Sequence, residues 1–177
     1  MDKIMQQSNN ANTVFHTEWF SIDAVPGESL GRKPYYRLSC DDSVEILAVT
    51  LDRKIVLVRQ FRPAVGMSML ELPAGYVDWG ESPDEAVRRE LREETGYVCD
   101  SVINLGPFKV APSRINNTLY LFFGRDAELL AGKDNEADSP EVVLVTLEEF
   151  KRLIGEGKFL EVAGIATYCL SQMEGQI

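Results

Sequence analysis

Apolar residues along this chain fall in short runs whose period changes near the middle. Two of the runs, Val44–Leu51 and Ile55–Phe61, are separated only by the polar link Asp52–Lys54, which is a hairpin signal. Shorter strand-like stretches lie at Thr17–Ile22, Tyr35–Leu38 and Met69–Leu72, the last followed by a turn over Pro73–Gly75. Further strands are expected at Val98–Leu105, Thr118–Gly124 and Val142–Thr146. Glu81–Thr95 instead takes a helical period, with Ala86, Val87 and Leu91 as its apolar stripe. Ser82 suits the N-cap, Pro83 the first helical position and Glu85 a capping box, while Gly96 is a natural stop. A second capping box, Thr146 with Glu149, opens a helix through Ile154, and a last helix covers Ala163–Met173. Val25–Lys33 and the acidic Lys133–Pro140 read as loops, and residues 1–13 as a polar tail. Hairpins followed by mixed strands and helices predict an α/β (α+β) domain, a mixed sheet with helices packed on it.

Composition narrows the function classes. The 177 residues suffice for one domain with a short extension, here expected as residues 14–40 ahead of a domain over 41–177. A formal net charge of -10 makes nucleic acid or an anionic membrane a poor partner. No apolar run reaches the roughly 18 residues of a membrane span. Cys40, Cys99 and Cys169 are odd in number and far apart in sequence, so neither a disulfide framework nor a zinc knuckle is expected, and a reducing cytoplasm fits. The single histidine, His16, sits in a polar stretch and reads as a surface residue. An acidic protein can still take a small phosphate ester if a divalent cation stands between the negative charges.

The expected helix carries the candidate chemistry. Glu90 and Glu94 are four residues apart and share a face, with Glu93 on its border. Like charges at that spacing repel, unless a hard cation such as magnesium neutralises them. A solvated face paired locally with Arg88, Arg89 and Arg92 would explain the glutamates equally well. The flanking spacing separates the two readings. From Gly75, five residues lead to Glu81 and seven more to Arg89-Glu90, followed by Leu91, Arg92, Glu93, Glu94, Thr95, Gly96 and Tyr97. This resembles the Nudix box at every fixed position, with Tyr97 where a bulky aliphatic is usual.

The resemblance implies a mixed sheet sandwiched between helices and hydrolysis of a nucleoside diphosphate linked to another moiety. By the same resemblance Glu90 and Glu94 hold Mg²⁺ (or Mn²⁺), with Glu93 and the Ala74 carbonyl as further ligands. Gly75 would allow a tight turn, and Arg89 would orient a carboxylate, expected to be Glu93. Val58–Pro63, with Glu71-Leu72-Pro73-Ala74-Gly75 after it, is similar to the ADP-ribose pyrophosphatase branch. Pro112 lies about sixteen residues past the box, where that branch carries a proline. Ser113 stands where a glycine often follows, which leaves GDP-mannose or another nucleotide sugar open as substrate. Substrate contacts are expected from Arg62, Glu71, Pro112, Arg114 and Tyr35, with Glu71 alternatively pairing with Arg62. The general base is Glu93 or Glu136, and both stay open at this stage. A non-catalytic nucleotide sensor would be marked by a lost box glutamate, and none is lost. The branch commonly dimerises through N-terminal strands, so the aromatic segment 14–40 suggests a homodimer.

Overall fold

The computed structural model describes residues 11–26, 33–130 and 139–177. The chain forms two compact units, Met1–Asp42 with Lys109–Thr118, and Ser43–Phe108 with Leu119–Ile177.

The smaller unit is an antiparallel meander of β1 (Asn12–His16), β2 (Ser21–Val25) and β3 (Tyr35–Ser39). Asn12 and Thr13, read from sequence as tail, are strand residues. The strand expected over Thr17–Ile22 is half turn. Thr17 Oγ1 accepts the N–H groups of Trp19 and Phe20 at 3.2 and 3.0 Å. A threonine hydroxyl offers the backbone this alternative to a ladder. Asp23, the buried acid of β2, accepts hydroxyls from Thr13, Ser21 and Ser39 at 2.8, 3.2 and 2.6 Å. Those bonds, Ser39's foremost, hold its carboxyl below the usual range.

The larger unit is a sheet in the order β10-β5-β4-β9-β8. Its strands are β4 (Ser43–Thr50), β5 (Lys54–Arg62), β6 (Met67–Glu71), β7 (Ala74–Tyr76), β8 (Tyr97–Phe108), β9 (Leu119–Leu129) and β10 (Glu141–Thr146). β4 runs parallel to β9, which makes the sheet mixed. The helices are α1 (Pro83–Thr95), α2 (Leu147–Gly155) and α3 (Val162–Met173). Both expected capping boxes form, and Gly96 closes α1 at φ 76°.

Strand alternation sorts the core into two layers. Val44, Ile46 and Ala48 of β4 and Phe122 of β9 meet Ala86, Val87 and Leu91 of α1. Leu47 and Val49, with Leu121 and Phe123, belong to the layer of Phe150, Phe159 and Tyr168 at α2 and α3. Burial on both faces is why β4, Glu45 apart, and the first half of β5 read as apolar runs rather than alternating ones. Phe150 stacks edge-on against Phe159 and Tyr168, at 4.8 and 5.6 Å between centroids.

The β4–β5 hairpin is present but splayed. Its ladder is a single pair, Val49 opposite Ile55. Farther along, β6 pairs with β5, while β7 pairs with β4. Leu72 and Pro73 therefore cross from one arm of the split to the other. The turn expected at Pro73–Gly75 is this crossing and the start of β7. Among the described residues no helix is long and apolar enough to span a membrane.

Phe150→Ala is expected to cost about 3–5 kcal/mol, because it leaves a cavity between two other rings. Urea unfolding would read this as a lower midpoint; a loss under about 1 kcal/mol would show that the aromatic trio does not anchor α2 and α3.

Candidate active site

The split in the sheet leaves the crossing segment without a continuous ladder, so its polar groups bond elsewhere. Leu72 N–H donates to Glu161 Oε2 at 2.9 Å. Pro73 has no N–H, and its carbonyl accepts from Ile46 N–H at 3.0 Å. Ala74 N–H donates to Glu94 Oε2 at 3.0 Å. A carboxylate of α1 is thereby tied to the segment that carries Ala74.

Gly75 has a different role from the tight turn expected of it. It is a strand residue opposite Val44, and its φ is not among the positive ones. What it supplies is space, since a Cβ there would lie 2.0 Å from Glu90 Cδ. The Glu90 carboxyl is cradled against bare backbone. Burial pushes its pKa up from the ordinary range, with Arg89 opposing. Burial likewise raises Glu94 to about 7, against the pull of the Ala74 N–H.

Arg89 organises the other side of the helix. It donates to both oxygens of Glu81 at 3.1 and 2.9 Å, to the Tyr76 carbonyl at 2.9 Å and to Glu90 Oε1 at 2.7 Å. Its contact with Glu93 is longer, 3.3 Å, and that side chain is 53% exposed. The carboxylates it chiefly holds are Glu81 and Glu90, where sequence pointed to Glu93. Fork geometry explains the preference: Glu81 lies where a guanidinium can bond both carboxylate oxygens.

Arg62 and Glu71 meet as one of the two sequence alternatives had it. Arg62 Nη2 lies 2.7 Å from Glu71 Oε2, and Nε bonds both oxygens at 3.1 and 2.9 Å. Gln60 Nε2 adds a bond of 2.9 Å to the same buried carboxylate. Tyr35, Pro112 and Arg114 belong to the smaller unit. There Arg114 Nη1 bonds the Tyr35 hydroxyl at 2.5 Å, its guanidinium 5.0 Å from the ring centroid, and Tyr35 donates to the Ser113 carbonyl. Pro112 occupies the adjoining turn. Glu136 lies outside the described residues.

Two further acids escaped the sequence reading. Glu45, 1% exposed, sits inside β4 and accepts from Thr167 Oγ1 at 2.6 Å; Glu161 is the second. A lone charge within a strand buried on both faces was a usable signal for Glu45. Nothing local marks Glu161.

The NUDIX domain family model matches residues 42–161, well over half of the chain. The chain belongs to the Nudix family. An ADP-ribose pyrophosphatase of Bacillus subtilis (strain 168) is 34% identical over 114 residues, 63% of this chain and 62% of that protein. The chain thus spans less than two thirds of that relative's length. The ADP compounds hydrolase NudE of Escherichia coli (strain K12) is 31% identical over 148 residues, 80% of this chain and 77% of its own. A crystal structure of an ADP compounds hydrolase shares the fold, with a TM-score of 0.80 at 24% identity over 95% of this chain and 94% of that one.

Nudix hydrolases generally use divalent metal ions, and the residues present fit one. Glu90 and Glu94 are half-buried acids on one helix face, and the Gly75 cradle admits the Glu90 carboxyl but no side chain. Among the described residues no three acidic, imidazole or thiol side chains form a closed cage. Two carboxylates on one face can hold a hard cation when further protein, water and substrate oxygens complete its shell.

Gly75→Ala tests the cradle. The clash falls on the movable end of Glu90, so Tm should stay within about 4 °C of the parent. Metal-dependent turnover should fall about 100-fold, as for a 1 Å misplacement of a working group. Unchanged turnover would show that the position of Glu90 is immaterial.

Proposed function

We propose that this protein hydrolyses the pyrophosphate bond of ADP-ribose, giving AMP and ribose 5-phosphate, with Mg²⁺ as cofactor and Mn²⁺ as a substitute. The observation that carries this reading is the pairing of Glu90 in the Gly75 cradle with Glu94 on the Ala74 N–H. The two relatives named for ADP compounds support the substrate class.

In this reading Glu90, Glu94 and the Ala74 carbonyl hold the cation, with Glu93 as a further ligand. When bound, the cation screens the diphosphate charge and makes a water more acidic. Arg89 keeps Glu90 in place through charge-assisted bonds and is itself secured by Glu81. Arg62, partly exposed and aligned by Glu71, presents a guanidinium to a substrate phosphate. Tyr35, Pro112 and Arg114 are proposed as substrate-binding residues of the smaller unit. Glu93 or Glu136 takes the proton from the attacking water. Glu93 is exposed and beside Arg89, which leaves it accessible for either task.

The protein is further proposed to be cytoplasmic and a homodimer associating through residues 14–40. Val14, Phe15, Trp19 and Tyr36 there expose large apolar side chains. Ser113 after Pro112 supports a second reading, in which GDP-mannose or another nucleotide sugar replaces ADP-ribose.

A panel of nucleotide sugars, assayed with and without Mg²⁺, distinguishes these. ADP-ribose should turn over fastest and only with metal, and Glu94→Gln should abolish that activity. No turnover of any member of the panel would overturn the proposal.

Metal affinity should also depend on pH. Glu94 carries its proton up to about pH 7 and must release it to bind a cation. Affinity for Mn²⁺ should therefore rise as pH rises towards 7 and level off above it. The metal-free protein should behave oppositely. Its folded state holds that proton more tightly than the unfolded chain, whose Glu titrates near 4.5, so stability falls as pH rises from about 4.5 to about 7. A flat Mn²⁺ titration profile across that window would contradict the assignment of Glu94.

A further inference from the structure

Glu161 stands at the N-cap of α3 but makes no side-chain bond to its own helix. N-cap acids ordinarily satisfy a free N–H of the first turn. This one instead reaches Leu72 N–H, 89 residues back in sequence, at 2.9 Å. Gly164, one turn into α3, leaves it room: a Cβ there would lie 3.1 Å from Glu161 Oε2 and 2.7 Å from the Phe159 ring.

Behind Glu161 lies Glu45, close enough that each carboxyl bears on the other's proton. Two carboxyls in contact need a proton between them. Burial raises both, and Glu71 nearby adds to the effect. Glu45 in turn accepts from Thr167 Oγ1, which lies buried on α3 at 2.6 Å. Glu161 Oε2 thus accepts from Leu72 beside the buried carboxyl of Glu45. The backbone of Glu45 lies opposite Ala74 in the β4–β7 ladder.

On the reading of Ala74 as a metal ligand given above, we propose that Glu161 is a positioning residue for the metal site. Anchored on Glu45, it holds the Leu72 N–H and fixes the crossing segment that presents Ala74. Glu94 grips the same segment from α1, so the two helices hold it at two N–H groups, one residue apart. Glu161 touches neither cation nor substrate.

Glutamine can keep the bond to Leu72 through its carbonyl and offer its amide to Glu45. Alanine can do neither. Mn²⁺ binding by calorimetry should be within about threefold of the parent for Glu161→Gln and about 10- to 100-fold weaker for Glu161→Ala, the range for lost outer contacts to a metal ligand. At saturating metal the KM for ADP-ribose should move less than threefold in both variants. Thr167→Val, which loosens Glu45 while leaving Glu161 in place, should weaken Mn²⁺ to an intermediate degree and keeps the test open if the alanine variant does not fold. Parental Mn²⁺ affinity in Glu161→Ala or in Thr167→Val would overturn the proposal, as would a glutamine variant as weak as alanine. Mn²⁺ affinity is read without substrate, so this comparison stands whichever nucleotide sugar the panel selects.

Discussion

The site depends on how a short segment crosses a split sheet. β4 and β5 separate after one paired position, and Leu72–Ala74 spans the gap with only part of a ladder to lean on. Backbone N–H groups in such a place must find acceptors. Here both are carboxylates, Glu161 from α3 and Glu94 from α1. The crossing ties together two helices on opposite faces of the sheet and brings α1's acids against the Gly75 backbone. A mainly structural need, satisfying two N–H groups, thus also ties Glu94 to the segment that cradles Glu90.

That arrangement gathers negative charge. Glu45, Glu71, Glu90, Glu94 and Glu161 are all at least half-withdrawn from water, in a chain of net charge -10. The compensations differ. Glu71 is paired with Arg62 and Gln60, while burial raises both Glu45 and Glu161 towards their neutral forms. Glu90 leans on Arg89. Glu94 has the Ala74 N–H as its hydrogen-bond donor and burial against it, and burial raises it to about 7. A group in that state exchanges its proton for a cation at little electrostatic cost.

Much of the local structure could be read from residues alone. Capping boxes at Ser82 and Thr146, the stop at Gly96 and the helical stripe of Ala86, Val87 and Leu91 are short-range signals, and all formed as expected. Glu90 and Glu94 follow from helical spacing, and the box from Gly75 through Tyr97 supplied the family. The readings that shifted involve contacts distant in sequence. Thr17–Ile22 has strand composition, but a hydroxyl turned its first half into a turn. Arg89 does bond Glu93, four residues on, at 3.3 Å, but its bidentate partner is Glu81, eight residues back.

The sequence by itself determined the helices, the family and which face of α1 carries its acids, since all of these are set by neighbours within a turn or by fixed spacing along one segment. Only the tertiary structure decided that Gly75 makes space instead of turning the chain, that β4 and β5 part to admit the crossing, and that Glu45 and Glu161 stand behind it. Each of these joins segments far apart in the chain: Glu161 meets Leu72 across 89 residues, and Thr167 meets Glu45 across 122. No periodicity or spacing encodes such partners, because a carboxylate's choice of N–H is made by packing after the sheet has formed.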